Sequence, residues 1–198
     1  MTRCERISAW LPSATTANIS RLPTTTSQFV IRSSREPYRI VNEPRGPRYR
    51  DLLREGARVS DRFLFVDIPE PFYREHDTSF GPAAKRLVEE LAPHLISLTS
   101  DRSWPGTRLG EVHGVKSYAR IYRYRLDAES LEMLERATDH LFSWQPPLPL
   151  DLCLLRPDGE AWLTTIASED TAYLRLAPEE VAPLMDRTGM DLQRYLRH

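Results

Sequence analysis

The densest set of titratable side chains in the sequence is Glu75-His76-Asp77, with Tyr73 two positions before it. A histidine between two carboxylates can serve as a general base or as a metal ligand. Three consecutive residues do not complete a site. A hydrolase-type centre would have to be assembled from separate loops, and His113 and Glu169 are further residues of the right type. No spacing here is that of a zinc site, so no metal is expected. The plainer reading of Glu75-His76-Asp77 is a solvated, charged loop. Cys153 with a distant histidine has the residue types of a thiol nucleophile. It stands between Leu152 and Leu154, however, where a free cysteine acts as a small hydrophobe. The eight glycines form no phosphate loop, dinucleotide fingerprint or nucleophile elbow, so no cofactor is expected.

Three stretches have the residue types of a binding surface. In the first, Arg120, Arg123 and Arg125 alternate with Tyr118, Tyr122 and Tyr124. Charge interleaved with aromatic rings suits single-stranded nucleic acid, although the arginines divide between two strand faces. A second patch is the basic run Arg45, Arg48, Arg50, Arg54 and Arg58. In the third, Trp104 stands before Pro105-Gly106, where a restricted backbone would present an aromatic anchor to a partner at little entropic cost. The competing expectation is that this ring folds back into the core. Pro146 and Pro149 fit a P-x-x-P pattern, but between two core elements they read as a rigid spacer.

The elements that must position these residues are clearest from Leu150 to Leu176. Leu150, Leu152 and Leu154 alternate with Asp151, Cys153 and Leu155, the period of a strand. Arg156-Pro157-Asp158-Gly159 reads as a turn with Gly159 at positive φ. Strands over about 160–167 and 172–176 follow, giving a three-stranded antiparallel meander with Trp162, Thr164 and Ile166 on one face. Upstream, Tyr49, Leu52 and Leu53 lie at helical spacing. Phe63 to Ile68 is an almost unbroken apolar run, as in a strand covered on both faces. Pro82 opens a helix with Ala84, Leu87, Val88 and Leu91 on one side, and Pro93 stops it. Leu95 to Leu98 predicts a short strand, and 109–112 a weak one. Asp127 caps a helix with the face Leu131, Leu134, Thr138, Leu141 and Phe142, with His140 beside that stripe. Pro178 opens another helical segment that Pro183 should kink or restart, and Asp191 caps a last short helix, Leu192 to Leu196. The order predicts an α+β fold: a mixed, mostly antiparallel sheet with a C-terminal three-stranded meander, packed against helices.

Residues 1–40 are rich in Ser, Thr, Pro and Arg and carry no hydrophobic period, which predicts a disordered or over-extended N-terminal segment before an α+β domain at 41–198. The net charge of −1 conceals an asymmetry. Residues 1–58 hold eleven Arg against five acidic residues, and the rest sixteen basic against twenty-three acidic. An acidic folded part weighs against nucleic acid. No apolar run is long enough to span a membrane, and two unpaired cysteines fit a reducing, cytoplasmic setting. The sequence therefore predicts a small cytoplasmic binding or regulatory protein, non-catalytic, whose partner is another protein. Its general profile, not any motif, is similar to that of bacterial immunity and antitoxin proteins. The alternatives are a loop-built hydrolase-type enzyme using His76, His113 and Glu169, and nucleic-acid binding through strand 118–126.

Overall fold

The computed structural model describes residues 35–68, 80–112 and 115–195, without the side chains of residues 112, 115 and 116. Twelve strands and four α-helices are present among the described residues. In chain order they are β1 Glu36–Ile40, α1 Pro47–Ala57, β2 Arg62–Asp67, α2 Pro82–Glu90, β3 Leu95–Asp101, β4 Ser103–Trp104, β5 Thr107–Arg108, β6 Glu111–Val112, β7 Val115–Lys116, β8 Ala119–Arg125, α3 Ala128–Ala137, β9 Leu150–Leu155, β10 Ala161–Ile166, β11 Thr171–Leu176, α4 Pro178–Thr188 and β12 Leu192–Arg194.

Eight strands form one sheet in the order β12-β1-β11-β10-β9-β2-β8-β3. This is an α+β fold, and every pairing within the sheet is antiparallel, so the expected mixed component is absent among the described residues. The predicted meander is β9, β10 and β11, and Gly159 takes φ 87° in the turn between the first two. The helices begin where the prolines allow: Pro47, Pro82 and Pro178 each occupy a first turn, where no backbone N–H is required. At α3, Asp127 Oδ1 accepts from Ser130 N at 3.0 Å and Ser130 Oγ accepts from Asp127 N at 3.0 Å, closing a capping box.

The helices cover one side of the sheet. Phe63, Phe65, Tyr122, Tyr124, Trp162, Leu174 and Leu176 point into that side with Leu52, Leu87, Leu134 and Leu184 of the helices. Phe63 stacks on Tyr124 at 5.1 Å and Phe65 lies 5.9 Å from Tyr122. A smaller core, Leu64, Val66, Trp104, Ala119, Ile121, Cys153 and Leu155, fills part of the opposite side. The apolar run of β2 is thus buried on both faces, as expected of an inner strand.

Several expectations change. Residues 36–40 are not a disordered extension: β1 pairs with β11 and with β12, and Ile40 is buried. Its sequence, EPYRI, has only Tyr38 and Ile40 to bury, so the strand is specified by its neighbours more than by local pattern. Residues 1–34 lie outside the described residues. Leu192 to Arg194 is strand β12, not a helix, because its backbone completes the free edge of β1. α3 ends at Ala137, and the chain from Thr138 to His140 is extended before a 3-10 turn at 141–143. α4 runs through Pro183 without ending, although a proline inside a helix gives up an intrahelical bond. A register shift between Ala161 and Leu163 sends Trp162 into the helix-side core while Thr164 and Ile166 lie on the other side.

A chain started at Val41 lacks β1, and with it the pairing partner of both β11 and β12. Its melting temperature should fall by roughly 10 °C or more below that of a chain started at Arg35, each kcal/mol being worth about 2–4 °C at this size. Equal melting of the two chains in calorimetry would show that β1 adds nothing to the sheet.

Candidate functional site

At the far end of β2, Asp67 points into the helix side and is 1% exposed. Among the described residues, neither of its carboxylate oxygens has a hydrogen-bond partner. Arg120, its cross-strand neighbour on β8, places Nη1 3.7 Å from Oδ2, which is an ion pair and not a hydrogen bond. Burial pushes the Asp67 carboxyl above its ordinary value, with Arg120 working against the shift. Burial also raises the Tyr122 hydroxyl, and the charge on Asp67 adds to this. A buried carboxylate without hydrogen bonds is costly and uncommon, which marks this end of the sheet. No feature of the sequence around FVDIP singled Asp67 out, since it reads as the end of an apolar strand.

On the opposite side of the sheet, the β4–β5 hairpin folds over β9 and β10. Trp104 is 7% exposed, and its Nε1 donates to Asp151 Oδ2 at 2.9 Å. The other Asp151 oxygen accepts from Ala167 N at 3.0 Å. Asp151 adopts φ 55°, a left-handed conformation that costs an ordinary side chain energy but suits Asp better than most. Burial raises its carboxyl, while the bonds from Ala167 and Trp104 oppose that. Gly106, at φ 83°, forms the hairpin tip. A Cβ there would lie 2.7 Å from Thr164 Cγ2, so the tip is pressed directly on β10.

Beyond that tip the sheet is open. A cleft of about 630 Å³ runs between Pro105-Gly106 on one wall and Pro37 and Tyr195 on the other. Its floor carries Thr164, Ile166 and Tyr173, and Tyr173 meets Tyr195 edge-to-face at 5.1 Å. Glu160 and Arg175 close one end. Their charges are already matched: Glu160 Oε1 is 3.3 Å from Arg175 Nη1, and its Oε2 accepts from Arg35 Nη1 at 2.7 Å. Arg35 also donates to Asp158 Oδ2 at 2.7 Å.

The residues expected from the sequence are dispersed. His76 and His113 lie outside the described residues. Glu169 ends a 3-10 turn at 167–169 and is exposed there. Trp104 is a core residue and not an exposed anchor, because Asp151 offers its N–H a buried acceptor that solvent could not reach. Arg120 and Arg123 do not share a surface. Arg120 faces Asp67, whereas Arg123 lies on the other face and donates to Thr99 Oγ1 at 2.7 Å. The rings of Tyr122 and Tyr124 are buried in the helix-side core, which leaves Tyr118 as the one exposed ring of strand 118–126. Cys153 is fully buried, and burial pushes its thiol above the ordinary value, against the thiolate that a nucleophile needs.

Two histidines have polar neighbours that sequence reading did not bring together. His94 is buried, with Nδ1 3.1 Å from Asp127 Oδ2, where it supports the α3 cap. Asp139, His140 and Ser143 have the residue types of a triad. Asp139 Oδ1 is 2.8 Å from His140 Nδ1, but Ser143 Oγ lies 2.5 Å from Nε2 and 3.0 Å from Nδ1. An oxygen this close to both ring nitrogens lies on the lone-pair axis of neither, so the in-line proton transfer of a nucleophile–base pair is not set up. Among the described residues, no group of three or more His, Cys, Asp or Glu could hold a metal ion. No family model matches the chain, and comparisons with curated proteins and with solved structures give no significant match.

Trp104→Ala should therefore destabilise the fold by about 3–5 kcal/mol in urea unfolding, as expected for a core aromatic that also satisfies a buried carboxylate. A loss below about 1 kcal/mol would place the ring outside the core.

Asp67 predicts a pH dependence. Its folded value lies above its unfolded one, so its contribution to stability is full below the unfolded value and is lost as pH rises through the folded value. Asp67→Asn cannot ionise. Its urea midpoint relative to wild type should be little changed near pH 4 and should rise progressively toward pH 8. A difference that is the same at both pH values would contradict a carboxyl raised by burial.

Proposed function

We propose that the protein is a non-catalytic binding module that takes an uncharged aromatic or prolyl side chain of a partner protein into the cleft on the open half of the sheet. The observation that carries this reading is the cleft's composition. Its volume of about 630 Å³ falls within the roughly 300–1,000 Å³ of ligand sites. The Tyr173–Tyr195 pair offers an aromatic edge and face, Pro37, Pro105 and Ile166 offer apolar walls, and Thr164 adds a hydroxyl. Glu160 is shared between Arg35 and Arg175, so a charged ligand would have to break an existing pair to find a counter-charge. An uncharged planar or ring side chain displaces only water.

Regulatory modules of the immunity or antitoxin kind act in this way, by docking and not by chemistry. No helix among the described residues is long and apolar enough to cross a membrane. The alternative of a loop-built hydrolase draws support from one observation, the buried Asp67, whose carboxylate has no hydrogen bond among the described residues.

The test uses ¹H–¹⁵N spectra of the full chain titrated with N-acetyl-tryptophanamide and N-acetyl-prolinamide, and with N-acetyl-tryptophan as the charged counterpart. Saturable shifts confined to Thr164, Ile166, Tyr173 and Tyr195 are expected for the amides, with several-fold weaker binding of the carboxylate. Thr164→Arg, which fills the cleft, should abolish the shifts. Absence of saturable shifts, equal binding of the charged probe, or shifts that survive Thr164→Arg would overturn the proposal.

A further inference from the structure

The two edges of the large sheet are built differently. β12 is three residues long and exposes Gln193 and Arg194, the short and charged edge by which proteins avoid unwanted strand pairing. β3, at the other edge, is seven residues long. Leu95, Ile96 and Leu98 on it are 43%, 54% and 51% exposed. It contains no lysine and no proline, and its one charge, Asp101, is at its end. There the carboxylate accepts from the N–H of Arg102 at 2.6 Å and of Ser103 at 3.2 Å.

We infer that β3 is the seat of a twofold homodimer, in which it pairs antiparallel with β3 of a second copy and the two sheets become one. The pattern of the strand selects this occupant. Leu95 is opposite Tyr124 and Leu98 opposite Tyr122, and the register shift at Ile96 thereby puts both leucines on the helix side. An antiparallel register that places Leu95 against Leu98 of the second copy also places Leu98 against its Leu95. All four leucines then meet on the helix side across the axis, with Ile96 against Ser97 on either side of it. An apolar pattern that matches itself when reversed is what an isologous interface requires.

Charge supports the same occupant. Near a twofold axis any unbalanced charge faces its own copy. Residues 95–100 carry none, and the neighbouring Arg123 guanidinium is held by Thr99 Oγ1. An edge built for a charged foreign strand would carry the complementary charge. The cleft lies on β10, β11 and β1, toward the opposite edge, so pairing through β3 leaves both clefts of the dimer open. The dimer does not depend on the cleft's being a binding site.

Sedimentation equilibrium of the full chain, over about 1 to 100 µM, tests this, since self-association must vary with concentration. Wild type should sediment as a dimer at the upper end. Leu98→Lys introduces a charge that meets its copy close to the axis and should weaken association by about a hundredfold, the lost contact counting once on each strand. Leu98 is half exposed, so the variant should keep its circular dichroism and melting temperature, and Gln193→Lys on the opposite edge should leave the dimer intact. A wild type that stays monomeric throughout, a dimer indifferent to Leu98→Lys, or one dissociated by Gln193→Lys would overturn the inference. Loss of cleft shifts with an intact dimer would overturn the binding reading alone.

Discussion

The carboxylate of Asp151 lies out of reach of water and is held by two N–H groups distant from it in the chain, the indole of Trp104 and the backbone of Ala167. Its charge makes both bonds stronger than neutral ones. Together they draw the β4–β5 hairpin down over β9 and β10, and they fix the turn after β10. The sheet face opposite the helices is divided as a result. Where Trp104 lands, Leu64, Val66, Ile121 and Cys153 become a second core. Where the hairpin stops, at Gly106 against Thr164, the face remains open and a cleft begins.

Beside the cleft and at the start of α4, charges are matched locally. Glu160 sits between Arg35 and Arg175. Arg156, almost fully buried, is paired with Glu180, whose carboxylate also accepts from Ala177 N at the start of α4. Such pairs contribute modestly to stability at a surface, but they remove the free charges that would recruit a charged ligand. Asp67 is matched by Arg120 at a distance too long for a hydrogen bond, and its oxygens have no other partner among the described residues. Burying a charge in that state costs stability, and uncompensated costs of this kind gather at functional places more often than elsewhere.

The sheet's asymmetry connects the fold to the two proposed surfaces. Strands β1, β10 and β11 present an open, aromatic-lined face at one end, while β3 presents a bare apolar edge at the other. A partner side chain entering the cleft would contact side chains. A second copy at β3 would contact backbone. The two surfaces can be occupied together because four strands, from β10 through β8, separate the cleft's centre from the free edge.

What the residues specified alone was local. The alternation of 150–155, the Pro157-Asp158-Gly159 turn and the β-branched and aromatic content of Phe63 to Ile68 are short-range patterns that needed no partner to be read. The prolines at helix starts and the Asp127 cap are of the same kind. Arg120 was placed correctly on the face of Tyr122 and Tyr124, because alternation fixes which side chains share a face. Alternation does not say whether a face is covered. That depends on helices packing from elsewhere in the chain, and it turned a supposed stacking surface into core. β1 and β12 were not read as strands because β1 has only Tyr38 and Ile40 to bury and β12 only Leu192, and both gain their stability from pairing. Trp104 was legible as an aromatic before a turn, but the direction of its ring was decided by Asp151, forty-seven positions later. The cleft was illegible for the same reason: Tyr173 and Tyr195 stand on either side of a helix and meet only when β12 closes against β1. A single side chain carries its own preferences, and contact between distant ones is a property of the packed chain.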